Sequence, residues 1–166
     1  DAPGTCVTCV MEGVRPVLAE IQALVVPSSF GNPRRVSNGV EYNRAMLLLA
    51  VLEKRGGLLL GNCDAYLNVI GGLSLDEPAA DLAAMLALAS SFRDKPVPSD
   101  LAAIGEVGLT GELRAVSNLG QRLSEVRRLG FSKCLIPKRI QGKLAAPEGL
   151  ELIRVANIRE ALAAIL

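Results

Sequence analysis

With 166 residues, half of them hydrophobic and only 3% aromatic, the chain is long enough for one domain whose core needs no disulfide. That composition excludes a disordered chain, and the longest apolar runs, such as Ala45–Leu52, are far too short to cross a bilayer. A net charge of +1 says nothing by itself about a polyanionic partner.

Residues 4–11 read as a strand, and residues 14–26 as a longer one carrying Val17, Ala19, Ile21, Ala23 and Val25 on one face. Arg15, Glu20 and Gln22 punctuate that pattern, so the sheet is expected to be half covered. Pro16 places the start of the second strand at an edge. Val26–Gly39 is dense in Pro, Gly, Ser and Asn and reads as a loop or a loosely paired hairpin. A helix follows from about Glu41 to Arg55, with Ala45–Leu52 buried and Gly56-Gly57 after its last turn.

A strand over Ala65–Ile70 then runs through Gly71-Gly72 into Asp76-Glu77-Pro78, which opens an almost wholly apolar helix. Pro78 suits the first helical position, and Asp76, Glu77 and Asp81 place negative charge at the positive end of the helix dipole. Leu82, Met85, Leu86 and Ala89 form one stripe, while Ala83, Ala84, Ala87 and Leu88 cover most of the remaining surface. A helix apolar nearly all round is buried on more than one side, so this is expected to be the central helix. Asp94–Asp100 is a turn, Leu101–Val107 a strand, and GLTGELRAV holds a further short one. A helix from about Asn118 to Leu129 directs Leu119, Leu123, Val126 and Leu129 inward, and Gly130 ends it. Lys133–Ile136 is a strand closed by Pro137, Lys138–Leu144 a helical turn, and Leu150–Val155 a last strand. Ile158–Leu166 is a C-terminal helix capped by Asn157. Strands lead the first half and alternate with helices in the second, which gives an α+β or mixed α/β single domain.

The four cysteines are Cys6, Cys9, Cys63 and Cys134, and the chain has no histidine. Cys6-x-x-Cys9 has a metal-ligand spacing, but no second pair follows, and on a strand residues three apart point to opposite faces. Buried free thiols are the expectation, with no metal site, and reduced cysteines fit a cytoplasmic location. No signal peptide is visible, and a start at Asp1 rather than Met fits a fragment of a longer protein.

Charge is distributed unevenly. From Arg114 to Lys143 lie Arg114, Arg122, Arg127, Arg128, Lys133, Lys138, Arg139 and Lys143, opposed only by Glu125; that stretch carries +7, which leaves −6 for the rest. Such asymmetry points to a polyanion, and a solvated helix face pairing with acidic elements is the alternative. Arg34-Arg35 in the Gly/Pro-rich loop forms a second candidate contact. On the helix over 118–129, Arg128 is expected to point away from the apolar stripe, with Arg122 and Arg127 flanking it.

The order of strand, helix, GEVGLTGELRAV and a helix followed by GFSKCLIP resembles the proteolytic domain of Lon-type ATP-dependent proteases. VVPSSFGNPRR, EYNRAMLLLAVLEKR, DEPAADLA, SSFRDKPVP and GEVGLTGELR are similar to the C-terminal domain of the RadA (Sms) family of bacterial DNA repair ATPases. The resemblance covers essentially the whole chain and implies a Lon-protease-like domain with the ribosomal protein S5 domain 2-like fold. It also implies hexameric ring assembly and duplex DNA as partner, with no membrane role. ATP, magnesium and zinc would belong only to an ATPase core and a zinc finger that this chain does not contain. Lon-type proteases place their nucleophilic serine where this chain has Ala79 and their lysine where it has Gly120. A hydroxyl beside a neutral amine is what such chemistry needs, so the resemblance implies a domain without catalytic residues. Duplex contact is then expected from Arg122, Arg127, Arg128, Lys133, Lys138, Arg139, Lys143, Arg34 and Arg35. The rival readings are an oligomerisation module without DNA contact and a peptidase using an unorthodox pair with Ser74 or Ser117.

Overall fold

The computed structural model describes residues 1–29 and 31–166; the loop expected at Phe30 falls outside the described residues. In chain order the elements are β1 (Thr5–Glu12), β2 (Arg15–Pro27), β3 (Arg35–Asn38), α1 (Tyr42–Lys54), β4 (Cys63–Val69), α2 (Asp81–Arg93), β5 (Leu101–Ala103), β6 (Glu106–Val107), β7 (Leu113–Arg114), α3 (Leu119–Arg128), β8 (Lys133–Pro137), β9 (Glu151–Val155) and α4 (Ile158–Ile165). Seven strands make one mixed sheet in the order β3-β4-β2-β1-β5-β8-β9, and β6 and β7 form a separate two-stranded ladder. β1, β2 and β4 pair antiparallel, while β1-β5-β8-β9 and β3-β4 are parallel. The expected α+β class holds.

Alternation along the strands divides the core into two layers. Cys6 and Val10 of β1, Leu101 and Ala103 of β5 and Leu135 of β8 face a layer shared with α1, α2 and α4. Cys9, Ala102, Cys134 and Ile136 face the opposite layer, closed by Leu119, Leu123 and Val126 of α3. The two cysteines of the C-x-x-C spacing therefore sit on opposite sides of one sheet. Burial pushes the Cys6 thiol up to about 12 and the Cys9 thiol up to about 11. All four cysteines are free. Among the described residues no helix is long and apolar enough to cross a membrane.

α2 is the central helix, and every residue from Asp81 to Ser90 is buried. Two serines stitch its carboxyl end to the entry of β1 and to β2. The Ser90 hydroxyl accepts from the Gly4 N–H at 2.9 Å, and the Ser91 hydroxyl accepts from the Val25 N–H, also at 2.9 Å.

Several boundaries differ from expectation for identifiable reasons. Arg35–Asn38 is a strand parallel to β4, because β4 offers a free edge to a segment with no strong pattern of its own. β2 is an interior strand, although its first half, with Pro16, pairs with β1 alone, so the proline meets no second ladder. The strand expected over Leu101–Val107 breaks at Ile104-Gly105, whose backbone turns aside to hold the α2 entrance: the Gly105 N–H donates to the Ala79 carbonyl at 2.9 Å and the Leu82 N–H to the Gly105 carbonyl at 3.1 Å. Lys138–Leu144 forms no helical turn and crosses to β9 as irregular chain. Leu129, expected inward, lies past the last turn of α3 and is 47% exposed.

Candidate functional site

Pro78–Ala80 form a single 3₁₀ turn ahead of α2, so Pro78 begins that turn and the α-helix starts at Asp81. Ala79, at the position where the resemblance implies a nucleophile, is buried in the α3-side layer with Val116 and Leu119. Gly120, at the position implied for the lysine, lies on the exposed start of α3, and a Cβ there would meet nothing within 4 Å.

Two ion pairs clamp this entrance. Glu77 pairs with Arg122, whose Nη2 donates to Oε2 at 3.0 Å and whose Nη1 donates to Oε1. The Met11 N–H adds a third bond to Glu77 at 2.9 Å. The rest of the Arg122 fork is spent on backbone, with Nε on the Ser117 carbonyl and Nη1 on the Cys9 carbonyl, each at 2.9 Å. On the other side Asp81 accepts from Arg44 through both oxygens and from the Val107 N–H at 3.0 Å. Burial raises the Asp81 carboxyl against the opposing pull of Arg44. Glu77 and Asp81, expected to serve the helix dipole, are thus the acidic halves of two tertiary pairs. Arg122 and Glu77 are 45 residues apart, and no local pattern announces their meeting.

Arg122 was expected to contact DNA, but it is 1% exposed with its charge matched. Its length and basicity read as surface in the sequence; its place at one helical turn from Leu119 and Val126 puts it inward. Two other basic groups of the segment are matched at the surface. Arg128 bonds Glu125 at 2.8 and 2.7 Å, and Arg114 bonds Glu112 at 3.1 and 3.0 Å. Hydrogen bonds from Thr110 first, and from Arg114, hold the Glu112 carboxyl down at about 2.

Arg127, Lys133, Lys138, Arg139 and Lys143 form no ion pair among the described residues. Arg127 lies flat on Gly149, where φ is +84° and a Cβ would come within 2.7 Å of its guanidinium, and its Nε donates to the Glu148 carbonyl at 3.1 Å. Lys133 opens β8 and is half-buried, while Lys138 and Arg139 lie beyond the other end of that strand, about 16 Å away at the rise of an extended chain. Lys143 is exposed in the crossing to β9. The basic stretch is therefore not one face: Lys138, Arg139 and Lys143 follow the carboxyl end of β8, while Lys133 stands at its start and Arg127 lies against the chain before β9. Arg34 is exposed, and Arg35 spends Nη2 on the Leu60 carbonyl at 2.8 Å.

Ser74 and Ser117 are exposed, and neither hydroxyl bonds a basic side chain among the described residues. Among those residues no group of three or more Cys, Asp or Glu side chains is placed to hold a metal ion.

Residues 64–166 match the family described as Lon protease (S16) C-terminal proteolytic domain. Over 159 residues the chain is 56% identical to the DNA repair protein RadA of Bacillus subtilis, a match that covers 96% of the chain and 35% of that relative. It is 50% identical over 161 residues to the DNA repair protein RadA of Streptococcus pneumoniae, covering 97% of the chain and 38% of the relative. The RadA of Listeria monocytogenes is 52% identical over 161 residues, with 97% and 35% covered. The chain spans a little over a third of the length of these relatives.

Proposed function

Because the chain belongs to the family of Lon protease C-terminal proteolytic domains, we propose that it is a non-catalytic member of that family serving DNA repair as a duplex-binding and assembly domain. The DNA repair role follows the relatives that share half of its residues or more. Within a longer protein of that kind the chain would be the C-terminal part, and ATP hydrolysis would fall to a separate core. Lon-type chemistry would need a hydroxyl and an amine at positions filled by Ala79 and Gly120, and a methyl group and a hydrogen offer neither nucleophile nor base.

The observation that carries DNA binding is the set of basic side chains left without a carboxylate among the described residues: Lys138, Arg139 and Lys143 past the carboxyl end of β8, and Arg127 of α3 against Glu148 and Gly149 before β9. Lys and Arg that neutralise phosphates release counterions, so affinity falls with salt by about 0.9 log units per log unit for each contact. Two tyrosines, three phenylalanines and no tryptophan leave little for stacking on unpaired bases, which favours duplex over single strands.

The test is a duplex titration at several salt concentrations, comparing the parent with an Arg127→Ala, Lys138→Ala, Arg139→Ala, Lys143→Ala variant. The expected result is weaker binding to every sequence and a salt slope reduced by about three to four units. A folded variant that binds as tightly as the parent refutes the reading. An Arg34→Ala, Arg35→Ala variant that alone loses binding moves the contact to the loop before β3.

A further inference from the structure

Where several parallel strands end together, their carboxyl ends open a crevice that open α/β sheets use for ligands. Here β5, β8 and β9 run parallel, and beyond their ends lies a recess of about 750 Å³ lined by Glu112, Leu113, Arg114, Ala115, Lys138, Arg139, Ile140 and Ala156. That size lies within the range of small-ligand sites. It is more than twice the roughly 290 Å³ of the acidic pocket beside the start of α2.

Backbone bonds hold its walls in place. The Lys138 N–H donates to the Val155 carbonyl at 2.8 Å, which ties the exit of β8 to β9, and the Leu113 N–H donates to the Ala156 carbonyl at 2.9 Å, which ties β7 to the same point. Three cations from two separate segments therefore converge on one fixed concavity. Arg114 is anchored by Glu112 through Nε and Nη2, and its Nη1 stands 3.9 Å from Glu106. Lys138 and Arg139 are exposed and carry no ion pair with a described residue. Arg114 is matched by Glu112 and Glu106, so Lys138 and Arg139 are the two cations of the lining left free among the described residues.

We infer that this recess binds a terminal phosphate, a phosphate monoester rather than the diester of a nucleic-acid backbone. A monoester carries close to two negative charges at neutral pH and presents three acceptor oxygens, while a backbone diester carries one charge and continues in both directions. A recess that offers two unmatched cations, Lys138 and Arg139, beside the anchored Arg114 suits the former in charge and in shape. Arginine supplies the planar fork and lysine the point charge that phosphate sites combine. Leu113, Ala115 and Ile140 give an apolar wall for the group that bears the phosphate. Two sources share this chemistry, the 5′-phosphorylated end of a DNA strand and a free nucleoside monophosphate. The first rests on the proposed duplex binding and the second does not.

The experiment measures the 166-residue chain against one duplex in two forms, with a 5′-phosphate and with a 5′-hydroxyl, and separately against adenosine 5′-monophosphate and adenosine by calorimetry. A preference of at least fivefold for the phosphorylated end, or binding of the monophosphate with none of the nucleoside, is the expected result. In a Lys138→Ala, Arg139→Ala variant that preference falls to unity. Both residues are exposed, so the fold is retained, and an Arg34→Ala, Arg35→Ala variant keeps the preference. Equal affinity for the two duplexes together with no monophosphate binding overturns the inference while leaving duplex binding standing. A preference that survives the Lys138, Arg139 change also overturns it. Loss of duplex binding in both forms, with the monophosphate still bound, defeats the proposed function and supports the recess.

Discussion

Arg122 shows how a residue type can mislead. A guanidinium in a helix among other basic groups reads as surface, yet here Nε, Nη1 and Nη2 all donate to Glu77 or to a backbone carbonyl. Breaking a buried pair from one side leaves a charge without its partner and costs about 3–5 kcal/mol. Glu77 keeps 27% of its side-chain surface in water, which favours the low end of that range. Arg122→Ala is therefore expected to lower unfolding stability by about 3 kcal/mol in a urea titration. Arg122→Met paired with Glu77→Gln should recover much of that loss, because neither charge is then stranded. A variant as stable as the parent that nevertheless binds DNA more weakly would return Arg122 to the surface. Asp81 repeats the pattern on the other side of the same turn. Its position beside Pro78 suggested a dipole partner, and its contact with Arg44, 37 residues earlier, has no trace in local spacing.

At the scale of elements, the strongly periodic segments were legible and the weak ones were not. α2 was readable because ten consecutive buried positions leave no polar face to hide, and α4 because the Asn157 side chain caps it by accepting from the Glu160 N–H at 2.9 Å. β3 was not, since a four-residue strand takes its identity from the free edge of β4. β5 and β6 merged in the sequence because Ile104-Gly105 is apolar and small, and its turn is dictated by Ala79 and Leu82 across the entrance to α2. Leu129 was misplaced by one step past the end of α3. That difference can be measured. Leu86→Ala, in a fully buried site, is expected to cost about 2–5 kcal/mol. Leu129→Ala, nearly half in water, should stay within about 0.5 kcal/mol. Similar losses from both in thermal or urea unfolding would contradict the assignment of inner and outer faces.

For the whole molecule, composition and the resemblance gave the class and family, while the location of free charge emerged only from the fold. Of the eight cations in that stretch, Arg122, Arg114 and Arg128 are matched by Glu77, Glu112 and Glu125, and the five that remain are split between the two ends of β8. The far side of the sheet is also unevenly covered: α3 packs on β1 and β2, whereas Leu24 in the later half of β2, at 54% exposure, pairs with Tyr66 of β4, and Tyr66 with Val36 of the edge strand β3. Ring assembly would give such a row a partner, and head-to-tail contacts close into rings when their rotation allows. Light scattering at micromolar concentration is expected to show a mass above that of the 17.5 kDa chain, and to fall toward it in a Leu24→Lys variant. A parent that remains monomeric across that range removes the assembly part of the proposal.

The order of strands also sets a schedule. β1 joins β2 through a short hairpin with eight residues in register, but its other neighbour is β5, where Val7 meets Ala102 about 95 residues later. Closing a loop of that length costs about 4 kcal/mol in chain entropy, whereas a hairpin of a few residues closes in microseconds. The hairpin can assemble early, and β5, β8 and β9 pair with one another across only 32 and 18 residues, while the two halves of the sheet wait for one distant encounter. That encounter dominates refolding and places it among slow, topology-limited chains. Substitutions at that junction, such as Ala102→Gly, should then slow folding, while those at the far edge in β9 should mainly hasten unfolding. The junction of β1 with β5 is accordingly expected to be the last seam of the sheet to close.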